Sequence, residues 1–149
     1  MTYWNRWRIW LDNWRIWRAD LAWVYHVSFF QKSNVDLVIS SHNQYNERTY
    51  PILYNENYEK TTSKKAEPQP IITDYSQSEY PPTDGIVFLT VGTTGDELDP
   101  VKEIHDFYVI EESKFGFLNI EIENKGKALV GTFHSNDGEI IDQFKLNET

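Results

Sequence analysis

Cysteine is absent from the 149 residues. That excludes a disulfide framework and any thiolate metal site, and it leaves the cellular compartment open. Basic residues are scarce as well. Lys and Arg number 14 against 23 Asp and Glu, a formal net charge of −9, which argues against a nucleic-acid partner. No apolar run approaches the ~20 residues that a membrane-spanning helix needs. The N-terminal segment lacks the continuous apolar stretch of a signal peptide, because Arg6, Arg8, Arg15 and Arg18 interrupt it.

Tryptophan, by contrast, is concentrated. All 6 Trp fall within the first 23 residues. Residues 1–24 hold four Arg against Asp12 and Asp20, so this segment is positive while the rest of the chain carries the acidic excess. The composition shift places a boundary near residue 24, ahead of a body at 25–149 long enough to bury a core. Trp7, Trp10, Leu11, Trp14, Trp17, Leu21 and Val24 recur at spacings of three and four, which predicts an amphipathic helix over 4–24. Three readings of it stand. It packs on the body as a core helix, it lies at a membrane–water boundary, or it is an out-of-frame translation joined to a genuine body.

The body reads as mostly β. Val35–Ile39 and Ile86–Val91 are short, rich in β-branched residues and do not alternate, which predicts strands covered on both faces. Phe115–Glu123 alternates, with Leu118, Ile120 and Ile122 on one face. Asn124-Lys125-Gly126 turns the chain into a strand at Ala128–Ser135. Asn136-Asp137-Gly138 is a hairpin signal leading into Glu139–Leu146, with Ile140, Phe144 and Leu146 expected on one side. Residues 53–84, with Pro68, Pro70, Pro81 and Pro82, read as a long polar loop with one short extended piece at Ile71-Ile72. Gly92-Thr93-Thr94-Gly95 is a tight turn after the second buried strand.

The chemistry-bearing stretch follows the first buried strand. It runs Ser41-His42-Asn43-Gln44-Tyr45-Asn46-Glu47-Arg48-Thr49-Tyr50-Pro51-Ile52. With Val35–Ser40 before it, this order resembles calcineurin-like metallophosphoesterases, the purple acid phosphatases among them. Those proteins carry a strand of the type VDLVLSGH followed by N-H-N-Y-E-R-T-Y-P-I. The turn at Gly92 is similar to the family's VGTGGA or VGTAG. The pattern FGFLNIEIEN…NDGEIIDQF resembles the C-terminal meander of archaeal-type members. The likeness covers about residues 25–149, apart from the polar loop. It implies an α+β, mostly β fold: the C-terminal half of a metallophosphoesterase-type β-sandwich, preceded by the Trp-rich helix.

The resemblance also implies a dinuclear centre of iron, zinc or manganese, which generates a hydroxide and neutralises phosphate charge. His42 matches the first His of the family's Gly-His-x-His ligand block. Gln44 stands where the second would be, and Ser41 replaces its Gly. A neutral amide oxygen is a poor substitute for imidazole nitrogen on such metals. The other ligand blocks, Asp-x-His, Gly-Asp and Gly-Asn-His, do not occur ahead of Val35. His26, His105 and His134 show no ligand spacing with His42. Arg48 matches the family's Arg after this loop; it either contacts substrate phosphate or pairs with Glu47 or a loop carboxylate. Glu47, Asp96, Glu97 and Asp99 read as a solvated acidic surface.

Two functions are expected on this basis. The first is a truncated or divergent phosphoesterase, inactive as this chain and holding no assured metal. Full catalysis on a phosphate ester would need the missing N-terminal half, supplied by another chain or lost; the partners expected are that half or a homo-oligomer. The second is a non-catalytic β-scaffold that docks on a partner or membrane surface through the Trp-rich helix. Half a sandwich leaves strand edges and one apolar sheet face uncovered, and that helix is expected to cover part of the face.

Overall fold

The two non-alternating apolar runs lie side by side at the centre of a sheet in the computed structural model, which describes residues 9–12, 21–41, 43–56, 70–82, 85–95, 97–101 and 106–148. In chain order the elements are β1 (Ile9–Asp12), α1 (Leu21–Lys32), β2 (Leu37–Ser40), β3 (Asn46–Thr49), β4 (Ile52–Leu53), β5 (Ile71–Ile72), β6 (Glu79–Tyr80), β7 (Val87–Val91), β8 (Tyr108–Glu112), β9 (Gly116–Glu123), β10 (Ala128–Ser135) and β11 (Ile140–Asn147). One sheet has five strands in the order β1-β2-β7-β3-β8, a second has four in the order β6-β11-β10-β9, and β4 pairs with β5. In the larger sheet β1, β2 and β7 are parallel, while β3 runs antiparallel to β7 and β8.

Strand alternation divides the core into two layers. Leu37, Val87 and Leu89 meet Tyr80, Leu129, Phe144 and Leu146, so one layer lies between the two sheets. The opposite side of β2 and β7 presents Val38 and Phe88 to Val27 and Phe30 of α1, with Ile52, Ile86 and Phe107 closing the second layer. Both faces of β2 and β7 are therefore covered, as their unbroken apolar composition requires. The result is a mostly β, α+β sandwich.

A Schellman motif ends α1. The Val35 amide donates to the Phe30 carbonyl and the Asn34 amide to the Gln31 carbonyl. Asn34 takes the left-handed conformation at φ 50, which Asn tolerates better than most residues. Val35 and Phe30 then share the same apolar layer.

Several sequence expectations change in three dimensions. Ile9–Asp12, placed by periodicity within a helix over 4–24, is a strand paired with β2; the helix is Leu21–Lys32. The segment Ile9-Trp10-Leu11-Asp12 is too short for periodicity to separate helix from strand, and the open edge of β2 offers backbone partners that a helix would not use. Of the rest of that stripe, Trp7, Trp14 and Trp17 lie outside the described residues, and the backbone of Leu21 and Val24 falls within α1. Among the described residues, the faces of β2 and β7 are covered, one by the second sheet and the other by Val27 and Phe30 of α1. Within 53–84, a strand at Ile71–Ile72 stands where the extended piece was expected, and Glu79–Tyr80 adds another. Ile140 does not share a face with Phe144. A bulge between Phe133 and His134 shifts the ladder, so Asp142 takes the inner position and Ile140 is 59% exposed.

Candidate functional site: the ends of β2 and β7

Parallel strands β2 and β7 end together, the place where open α/β sheets gather their chemistry. The loop after β2 carries Ser41 to Tyr45, and the turn after β7 carries Gly92 to Gly95. His42, the first expected ligand, lies outside the described residues. Gln44 is half-buried, and its backbone carbonyl accepts the Asp99 backbone amide at 3.0 Å. The Asn43 amide donates to the Tyr45 hydroxyl at 3.1 Å. The two turns touch through Gly92, where a Cβ would lie 1.6 Å from the Asn43 carbonyl oxygen. The glycine is thus needed for close approach rather than for an unusual backbone angle. Gly92→Ala is expected to force the turns apart at a cost of about 1–3 kcal/mol. A lowered urea midpoint and faster exchange of the Asp99 amide would register it. An unchanged midpoint with that amide still protected would refute the contact.

Beneath the loop, a polar row crosses the sheet in register. Ser40 sits opposite Thr90, Thr90 opposite Glu47, and Glu47 opposite Glu111. The Ser40 hydroxyl donates to the Leu89 carbonyl at 3.1 Å and lies 3.3 Å from the Thr90 hydroxyl. Thr90 donates to the Glu47 carboxyl at 2.7 Å. Glu47 is 4% exposed, so the solvated acidic surface expected there is wrong for this residue. Burial pushes its carboxyl up to about 7, against ordinary values near 4.5, and Glu111 adds to the rise. Burial and the same carboxylates push the Tyr45 phenol up to about 12 and raise Tyr108 strongly. Glu97 and Asp99 are exposed, as expected.

The other face of β3 points between the sheets. The Asn46 amide exchanges hydrogen bonds with the Thr93 hydroxyl at 2.9 and 3.1 Å and donates to the Lys114 carbonyl at 3.0 Å. Arg48 is 1% exposed. Its Nε and Nη2 grip Asp142 of β11 at 2.6 and 2.7 Å, Nη1 donates to the Tyr80 hydroxyl at 2.6 Å, and Nη2 to the Gln77 carbonyl at 2.8 Å. The guanidinium also lies 5.0 Å from the Phe144 ring centre. Burial works against this charge, but Asp142 outweighs it, and the group stays protonated. Arg48 therefore ties one sheet to the other. Its carboxylate partner is Asp142, not Glu47 or a loop acid, and a phosphate oxygen would have to displace it. A cavity of about 20 Å³ beside the pair, lined by Asn46, Glu112, Leu118 and Phe133 among others, has room for about one water.

Among the described residues no three of His, Asp and Glu stand close enough to hold a metal ion. Gln44 offers only a neutral oxygen. The described donors do not form the dinuclear centre that the sequence resemblance implies. His134 is stacked against Phe117 with ring centres 5.2 Å apart. The backbone of His26 lies in α1, and His105 is outside the described residues.

The arrangement of a helix on a mixed sheet, backed by a second sheet in which β9, β10 and β11 are antiparallel and β6 is parallel to β11, has solved counterparts. The structure is similar to that of a purple acid phosphatase from yellow lupin (Lupinus luteus) seeds, with TM-score 0.72 and 19% identity over 95% of this chain. The chain shares its fold with part of a purple acid phosphatase. It is also similar to GAP50, the anchor in the inner membrane complex of Plasmodium, with TM-score 0.58 and 19% identity over 95% of this chain. The 149 residues span 25% of the phosphatase chain and 34% of GAP50. No protein-family model and no curated protein matches the sequence.

Proposed function

We propose that this chain is a divergent or partial calcineurin-like phosphoesterase, a metal-dependent phosphate-ester hydrolase by ancestry. In this reading the isolated 149 residues do not hydrolyse phosphate esters. The observation that carries it is the position of the loop holding Asn43 and Gln44. It follows β2, the second parallel strand of a sheet whose fold matches a phosphatase, and it packs against the turn after β7. His42 is the one imidazole of the family's block that this sequence retains, and Gln44 weakens that block. Hydrolysis then requires donors from a further protein segment or chain, which would also bring the phosphate-ester substrate to His42. The dinuclear iron, zinc or manganese centre of the family would supply the hydroxide. Arg48 is left to hold the sheets together.

The test is metal titration of the purified chain with zinc, manganese and iron, followed by assay on a chromogenic phosphate monoester. Fewer than two tightly bound ions and no metal-dependent turnover are expected. Two tightly bound ions, with turnover lost in His42→Ala, would overturn the inactive reading.

A second reading is a scaffold that docks on a partner or membrane surface. The likeness to a protein described as an anchor favours it, as does Gln44 in place of an imidazole. No helix among the described residues is long and apolar enough to cross a membrane. Docking in this reading is a surface contact, with the Trp-rich residues 1–24 as its expected site.

A further inference from the structure

Strand β9 ends the four-stranded sheet, and no described strand pairs with its outer side. All of its residues from Gly116 to Glu123 pair with β10 without a register shift. The ladder on the other side of β10 carries a bulge, so β9 is the regular margin of this sheet. Natural edge strands are blocked by proline, by bulges or by charged side chains. Strand β9 has no proline, bulge or inward-pointing charge, and its two carboxylates, Glu121 and Glu123, lie on the outer face. Its inner face carries Leu118, Ile120 and Ile122, and Ile122 and outer-face Phe117 are 52% and 56% exposed.

We propose that β9 is a docking edge for a second copy of this chain, pairing antiparallel about a two-fold axis through Ile120. Such an isologous contact must be self-complementary, and this strand is. Ile120 meets Ile120, and Leu118 meets Ile122, on the inner face. On the outer face Asn119 meets Glu121, an amide opposite a carboxylate, and Phe117 meets Glu123. No carboxylate lies directly opposite another, and same-face partners are the pairs that stabilise a ladder. The half-exposed Ile122 gains an apolar partner, and the backbone groups on the outer side of β9 gain theirs. A single strand of this length buries less than the ~800 Å² per partner of a standard interface, so association is concentration-dependent.

Sedimentation velocity of the full chain across a wide dilution series tests this, with hydrogen exchange on the same samples. A monomer–dimer equilibrium is expected, with β9 amides more protected at high concentration. Ile122→Lys should shift the midpoint to at least tenfold higher concentration and leave the far-ultraviolet circular dichroism unchanged. Ile140→Lys, which removes an equally exposed side chain from β11, should leave the equilibrium where it was. A monomer at every concentration overturns the proposal. So does a dimer that survives Ile122→Lys, or one that Ile140→Lys dissolves equally.

Discussion

Asp142→Ala is expected to cost about 3–5 kcal/mol of folding stability, the range for leaving one member of a buried ion pair without its partner. The pair is almost wholly out of water, with side-chain exposures of 1% for Arg48 and 15% for Asp142. Removing the carboxylate leaves a guanidinium between the sheets with two of its hydrogen bonds unmade. The Tyr80 hydroxyl and the Gln77 carbonyl remain, but neither carries a compensating charge. Arg48→Lys is expected to recover little, because an ammonium cannot make the two-pronged contact. The double variant Arg48→Met/Asp142→Leu should recover most of the loss, since it removes the charge and its desolvation together. Urea unfolding of the four proteins decides the matter. A cost for Asp142→Ala near that of an exposed pair, under ~1 kcal/mol, would show that the two sheets do not depend on this tie.

The second large effect concerns pH. Glu47 holds its proton to about pH 7 when folded, whereas an ordinary glutamate releases it near 4.5. Below that ordinary value both states are protonated, and the full stability is present. As pH rises toward 7 the unfolded chain loses the proton first, so it binds fewer protons than the folded chain and stability falls. Above 7 both are ionised, and the loss is complete at roughly 3 kcal/mol. Glu47→Gln keeps an acceptor for Thr90 and removes the titration. At pH 4 the variant should match the parent closely; at pH 8 it should be the more stable by roughly 3 kcal/mol. Urea midpoints at the two pH values measure the difference. Midpoints of parent and variant that move in parallel would place the Glu47 carboxyl in water instead of in the sheet.

Much of the scaffold was visible in the residue order. The period-two pattern from Phe115 onward and the turn residues at Gly126 and Gly138, both at φ 90, mark the meander. The unbroken runs at Val35 and Ile86 mark strands buried on both sides, because only such a strand has no polar face to show. Strand β3 was not visible. Asn46-Glu47-Arg48-Thr49 reads as a loop because every residue is polar, yet all four are buried. Burial of that sequence is tolerable only where each group meets a partner. Asn46 finds Thr93, Glu47 finds Thr90, and Arg48 finds Asp142, at sequence separations of 47, 43 and 94. No local pattern announces pairings at that range.

Residue order alone settled the β-rich body and its hairpins. Periodicity and turn chemistry act between neighbours along the chain, so they can be read without a fold. Tertiary structure decided the rest. It turned Ile9–Asp12 into a strand, moved Asp142 inward through a bulge, and made a buried acid and a buried base of two adjacent residues that look solvent-exposed in sequence. Those outcomes depend on which strands lie side by side, and that is fixed by packing and hydrogen bonding between segments far apart in the chain.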